Sequence, residues 1–391
     1  MELNEADQPQ DYELEPTEGE AGEGVAADDR PGLDQPGPRW VRPLLAVIGT
    51  LVVLAGVGGA VYAWWSSTHV AKPVATPHVT LTPAPTPTPT PYKKASPLTG
   101  VLMDPALADR PIFSVIIENF DPDARPQAGL SQAGVVYEAN AEGGITRFQA
   151  FFLDNLPKSI GPVRSLRTYF VDWALEFGAP VAHAGGNVDA LDLIAPLGMR
   201  SLNGLNIGAP YFFRVTDRYA PHNLYTNSSL IYQLLDSRGW NKPATFTPSP
   251  RKADGVDTSP THPNIHIDFS YGGYQVDYKY DASTHDYARW LANAPHIDSN
   301  TGQQIHVKNV VVEYMPTSYG QTRISEDTVI MQTVGSGHAL VFTDGGLVDG
   351  TWKKDSHAAR TQLLDASGKE IPLDAGSTWY AIVPTGNNVS Y

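Results

Sequence analysis

The sequence predicts an α+β protein: a single transmembrane helix, then a mixed α/β domain and a mainly antiparallel β domain. Three observations carry this. Leu44 to Trp65 reads LLAVIGTLVVLAGVGGAVYAWW, 22 residues without a charge. Between 97 and 240, short β-branched runs alternate with segments whose apolar residues recur at helical spacing. After 264 nearly every apolar run reads as a strand, at intervals of 8–12 residues with Gly turns between.

Residues 1–43 come first. They hold twelve acidic and three basic side chains, a net of −9 that leaves only −6 of the total −15 for the rest of the chain. Acidic, rich in Pro and Gly and poor in large apolar residues, this tail is expected to be disordered. No Lys/Arg run forms a basic patch, so nucleic acid is excluded as a partner. Cysteine is absent, which excludes disulfides, thiolate metal sites, a Cys nucleophile and a lipid-modified Cys anchor.

Residues 44–65 follow. At 1.5 Å per residue, 22 residues match a hydrocarbon core of about 30 Å. Trp40 stands at one edge, and Tyr62, Trp64 and Trp65 at the other, where amphipathic rings favour the interface. A cleaved signal peptide would have a shorter apolar core nearer the start, so an uncleaved helix in the bilayer is expected. Arg30, Arg39 and Arg42 precede it, against Lys72 alone in the next 20 residues, which places the N-terminus in the cytoplasm and the remainder outside. Ala55/Gly59 and Gly56/Ala60 have the spacing of a helix-pairing face, so a dimer through this helix is one expectation. Residues 66–96 are read as a stalk, in which Pro73 to Pro91, including TPAPTPTPTP, is a polyproline II spacer about 50–60 Å long.

The domain at 97–240 is read from its runs. Pro111–Asn119, Gly134–Ala139, Thr146–Leu153 and Ala179–His183 suit buried strands, while Ser165–Phe177, Asn187–Pro196 and Ser228–Arg238 suit helices. Residues 241–264 hold five prolines and read as a linker. Residues 265–391 supply the β domain, in which the GSGH stretch at Gly335–His338 is read as a turn.

Functional side chains are densest between Glu118 and Asn223. Glu142 and Arg147 flank a Gly pair at the mouth of a strand. Arg164, Ser165 and Arg167 sit at the expected start of a helix, where two guanidiniums beside free N–H groups make a candidate site for phosphate or carboxylate. His183 follows an apolar run and is placed at the C-terminal edge of a strand, where ligand groups gather in α/β sheets. His222 adjoins Asn223, which is positioned to orient it. Such a His pair with a carboxylate suits acid–base or metal chemistry, and each His equally suits a structural hydrogen bond. Ser165 and Ser201 lack a nucleophile elbow. No motif names a cofactor or a metal site.

These same blocks carry a resemblance. PLTG at 97–100, ENFDPDARPQAGLSQAGVVYEANAEGGITRFQAFF at 118–152, IGPVRSLRTYFVDWALEFGAPVAHAGG at 160–186 and APHNLYT at 220–226 are similar to the YerB-like family of bacterial envelope proteins. KNVVVEY, GSGHALVFTDG and GSTWYAIVP resemble the second domain found with it. The family is described as a domain of unknown function, so the resemblance brings no activity. It implies a place outside the cytoplasmic membrane, where many members hang from a lipidated Cys that this chain lacks. Residues matching its motif blocks include Glu118, Asn119, Arg125, Gln127, Glu138, Glu142, Arg147, Arg164, Arg167, His183, His222 and Asn223.

Three functions compete on this reading. The first is a module binding an anionic envelope ligand, peptidoglycan or another anionic polymer, through Arg125, Arg147, Arg164, Ser165, Arg167 and Asn223. The second is an enzyme on such a polymer, with Glu142 as acid or base and His183 or His222 assisting. The third is a structural or signalling membrane protein whose acidic tail recruits a partner.

Overall fold

In the computed structural model, residues 44–69, 92–243, 245–253, 255 and 260–391 are described, with side chains in the first segment described from Gly56. They fall into two compact units divided between Pro87 and Thr88. The expected acidic tail and most of the expected stalk lie outside the described residues.

The first unit contributes helix α1, Leu44–Thr68, three residues longer than the apolar run. Among the described residues no helix is long and apolar enough to cross a membrane. The part of α1 with described side chains, from Gly56 to Thr68, rises about 20 Å against the ~30 Å of a bilayer core. The helix is therefore present as a helix, and its crossing of a membrane is not shown.

In the second unit the apolar runs form strands where expected. Phe113–Glu118 (β1), Val135–Asn140 (β2) and Thr146–Phe152 (β3) are buried at every position, as runs packed on both faces must be. Helix α2 (Thr168–Glu176) precedes β4 (Val181–His183), followed by α3 (Val188–Leu193), β5 (Ser201–Asn203) and α4 (Ser228–Ser237). Beyond the Pro-rich stretch come β6 (Asn264–Asp268), β7 (Gln275–Asp281) and β8 (Asp286–Leu291), where buried and half-exposed residues alternate. Then follow β9 (Asn309–Met315), β10 (Thr317–Gln321), β11 (Asp327–Met331), β12 (Gly335–Thr343), β13 (Gly346–Lys354), β14 (Gln362–Leu364), β15 (Thr378–Pro384) and β16 (Val389–Ser390).

One ten-stranded sheet runs through both sequence regions, in the order β14-β13-β12-β9-β15-β2-β3-β1-β4-β5. Strand β15 is the joint. It lies parallel to β9, with Val310 opposite Trp379, and parallel to β2, with Trp379 opposite Val136. The mainly antiparallel pattern expected after 264 is thus broken at β9 and β15, because the chain between them is long enough for a parallel crossover. A second sheet, β8-β7-β6-β16 with short flanking strands, covers one face of the first. Ile265, Ile267, Val276 and Tyr278 pack there with Val115, Phe148, Val310 and Trp379. On the opposite face α2 seats Phe170, Trp173 and Ala174 among Ile116, Tyr137, Val311 and Tyr380. Tyr137 stacks between Trp173, 4.7 Å away, and Tyr380, 4.5 Å away.

The turn expected at Gly335–His338 is strand instead, the first part of β12. Gly337 serves packing there. A Cβ at that position would stand 2.6 Å from Trp352 Nε1 and 2.7 Å from the Tyr314 carbonyl, so the missing side chain lets the Trp352 ring lie on the strand.

Candidate functional site at the C-terminal edge of the sheet

Strands β1, β4 and β5 are mutually parallel, so Glu118, His183 and Asn203 end on one edge of the sheet. Antiparallel β3 enters at the same edge, where Arg147 sits opposite both Glu118 and Ala139. The segment 164–166 pairs alongside 184–186, with Leu166 N–H donating to the Gly185 carbonyl and Ala184 N–H to that of Arg164. This local pairing brings the RSLR residues to the sheet edge.

The charges there form a seam. Glu118, its side chain 4% exposed, accepts Arg164 Nε on one oxygen at 2.8 Å and His222 Nδ1 on the other at 2.9 Å. The His222 ring stacks on Phe120 at 5.1 Å. Arg147, 7% exposed, donates from Nη1 to the Ser165 carbonyl at 3.0 Å, while its buried Nε has no hydrogen-bond partner. It makes no ion pair among the described residues. Burial first, and the Arg167 charge next, push the Arg147 guanidinium down to about 10. Arg167 then grips Glu142 with two hydrogen bonds, Nε to Oε1 at 2.6 Å and Nη2 to Oε2 at 2.5 Å. Burial raises the Glu142 carboxyl, but the Arg167 hydrogen bond and charge, with Arg147 behind, outweigh it and hold the group below the usual carboxylate range. The seam so counts three guanidiniums and a histidine against two carboxylates. A cleft of about 540 Å³ opens at its His222 end, and one of about 410 Å³ adjoins Glu142 at the other.

Not every expected site residue joins this seam in the role foreseen. Ser165 does not start the helix: Arg167 is the N-cap of α2, and the Ser165 hydroxyl donates to the Ala184 carbonyl at 3.1 Å. Asn223 does not orient His222, a task taken by Glu118. Its amide instead holds its own loop, accepting from Arg214 Nη1 at 2.6 Å and donating to the Val215 and Arg218 carbonyls at 3.1 Å. His183 is buried with both ring nitrogens occupied, Nδ1 by the Gly185 carbonyl and Nε2 by the Ser201 hydroxyl, each at 2.7 Å. Burial holds its pKa below the ordinary histidine value, against the Gly185 hydrogen bond. Glu142, His183 and His222 therefore belong to three separate hydrogen-bonded groups.

The other motif-block residues build a closed buried ring between the two sheets. Arg289 donates from Nη2 to Glu138 Oε2 at 2.6 Å and from Nη1 to His296 Nδ1. His296 Nε2 donates to Gln127 Oε1 at 2.9 Å, and Gln127 Nε2 to Asn119 Oδ1 at 2.8 Å. Asn119 Nδ2 donates to the Thr146 hydroxyl at 2.7 Å, which donates to Glu138 Oε1 at 2.8 Å. All donors point from the cation toward the anion, along both paths, so each hydrogen bond polarises the next. Arg125 adds to it, donating to Asn119 Oδ1 at 2.9 Å and the Gly273 carbonyl at 2.7 Å, with its guanidinium over Tyr274. These polar residues join the sheets.

Sequence reasoning passed over Asp123, Asp217, Arg218 and Tyr219, which line the larger cleft with His222. Their signal is charge beside proline in two short stretches, DPDARP and DRYAPHN.

Comparison with known proteins agrees with this architecture. The family described as protein of unknown function (DUF3048) matches in two parts, its N-terminal domain over residues 98–241 and its C-terminal domain over 265–380. A protein of Bacillus subtilis (strain 168) named "Putative lipoprotein YerB" is 30% identical over 300 residues, covering 75% of this chain and 87% of the relative. The crystal structure of YerB protein from Bacillus subtilis superposes with a TM-score of 0.67 at 28% identity, covering 76% of this chain and 100% of that one. By sequence and by fold, this chain belongs to the DUF3048 family, the YerB-like proteins.

Proposed function

We propose that this protein is held at a membrane by Leu44–Thr68 and binds an anionic envelope polymer, such as peptidoglycan, outside the cytoplasm along the arginine-lined part of the seam, from Arg164 to Glu142. The observation that carries the reading is Arg147, a buried guanidinium with no carboxylate of its own among two that are paired. A buried cation without an anion is unfavourable, and a ligand carboxylate or phosphate relieves it. The relative's name as a lipoprotein supports the compartment, with the apolar helix standing where a lipid anchor would. Binding is favoured over catalysis because the three candidate acid–base groups do not converge.

The test uses the compact unit Thr88–Tyr391, incubated with insoluble cell-wall fractions. The expected outcome is retention that weakens with salt, as charge contacts do, and that falls at least tenfold in an Arg164→Ala, Arg167→Ala variant. Absence of retention, or retention indifferent to both salt and substitution, overturns the reading.

A further inference from the structure

The cleft at the His222 end lies between the loops 120–126 and 215–222 and is walled by charges of both signs. Asp123 and Arg125 come from the first loop, and Asp217 and Arg218 from the second. Arg125 is already engaged, paired with Asp121 and donating to Asn119 and the Gly273 carbonyl, whereas Asp123, Asp217 and Arg218 make no ion pair among the described residues. Arg218 donates from Nη2 to the Pro126 carbonyl at 2.7 Å, which fixes the guanidinium, while its buried Nη1 has no hydrogen-bond partner. His222 is fixed as well: Nδ1 is bound to buried Glu118 and the ring lies against Phe120, which leaves Nε2 as the nitrogen open to a ligand. Tyr219, 90% exposed, adds an aromatic face beside them.

This mixture selects a ligand. A polyanion entering the cleft meets Asp123 and Asp217, and a polycation meets Arg218. Either leaves charges desolvated and unmatched, which is unfavourable. A ligand carrying both an ammonium and a carboxylate matches Asp123 and Asp217 at one end and Arg218 and His222 at the other. We infer that this cleft binds a zwitterionic peptide or amino-acid derivative, its ammonium between Asp123 and Asp217 and its carboxylate beside the Arg218 guanidinium and His222 Nε2. The inference rests on the reading of this edge as a binding site and adds the chemical class of ligand at one end of it.

The experiment titrates Thr88–Tyr391 with the dipeptide Ala-Ala, its N-acetyl form and its C-terminal amide, by calorimetry or NMR shift perturbation. Free Ala-Ala is expected to bind at low millimolar concentration or tighter, and either cap to weaken it at least tenfold. An Asp123→Asn, Asp217→Asn variant loses tenfold for Ala-Ala and stays within twofold of the parent for the N-acetyl form. Arg218→Ala shows the mirror pattern with the amide. The substituted side chains lie on surface loops, and an unchanged circular dichroism spectrum establishes that each variant is folded. The inference is overturned if the caps have no effect, if inorganic phosphate competes as well as the peptide, or if Ala-Ala does not bind at about 10 mM, a Kd beyond which little binding free energy remains. Wall retention of the same proteins separates the two readings. Retention without dipeptide binding removes this inference alone, whereas loss of both in the unsubstituted protein removes the seam as well.

Discussion

The two faces of the ten-stranded sheet bury charge in opposite ways. On the face under the second sheet, Glu138 and Arg289 are fully buried and fully partnered, with Trp379 Nε1 as a further donor to Glu138 at 3.0 Å. On the face under α2, Glu313 is equally buried, yet neither of its oxygens has a partner. The nearby cation, Lys354, is hydrogen-bonded to Glu176 at 3.0 Å. The contrast shows what a buried carboxylate needs. With donors in place its oxygens are satisfied and it ties two layers together; without them, removal from water favours the neutral acid. Burial first, then the Glu176 charge, push the Glu313 carboxyl up to about 8, with Lys354 opposing.

The largest effect is expected at the partnered side. Glu138→Ala leaves the Arg289 charge buried and unpaired, which costs about 3–5 kcal/mol of stability by denaturant unfolding. A loss under 1 kcal/mol would break the contrast, since it would mean that the ring contributes no more than a surface pair.

The pH dependence sharpens it. Glu313 has a folded pKa near 8, above its ordinary value of 4.5. Its contribution is therefore complete below the unfolded value and is lost as pH rises toward 8. His296 acts with the opposite sign: burial, then the Arg289 and Arg125 charges, hold it well below its ordinary 6.5, so stability falls as pH drops beneath 6.5. The two slopes offset one another between their unfolded values, and above 6.5 only the Glu313 loss remains, at up to about 1.4 kcal/mol per pH unit. Unfolding followed from pH 6.5 to 8 is expected to show a decline. Glu313→Gln removes the decline, and a decline that persists in that variant assigns it elsewhere.

The smallest effect comes from interrupting the ring without removing a charge. Thr146→Val leaves Asn119 Nδ2 and Glu138 Oε1 each short of a partner, at about 1–3 kcal/mol. A variant as stable as the parent would show that the long path from Arg289 to Glu138 adds nothing to the direct ion pair.

Legibility in the sequence followed range. Runs such as FSVIIE and TRFQAFF announced strands buried on both faces, and the spacing of Phe170, Trp173, Ala174 and Phe177 announced α2, because local backbone geometry sets those periods. The crowding of Arg, Glu and His between 118 and 223 falls at one edge of the sheet, yet does not reveal which of these side chains meet one another. Sequence neighbours single out His183 and Asn223, yet in the fold each is tied up in local hydrogen bonds, His183 to the Gly185 carbonyl and Ser201 hydroxyl and Asn223 to the Val215 and Arg218 carbonyls. GSGH read as a turn because Gly commonly makes one; what requires Gly337 is Trp352, fifteen residues on.

By itself, then, the sequence determined the elements, their order, the apolar helix at 44–65, the cysteine-free core and the family. Tertiary structure alone decided the partners of the charges. Glu118 meets His222 across 104 residues and Glu138 meets Arg289 across 151, so no local pattern records either pair. It also decided that β15 enters between β9 and β2 and makes one sheet of two sequence regions. The physical reason is common to both: secondary structure answers to neighbours along the chain, whereas the state of a charge or an edge strand depends on what folding brings against it from far away.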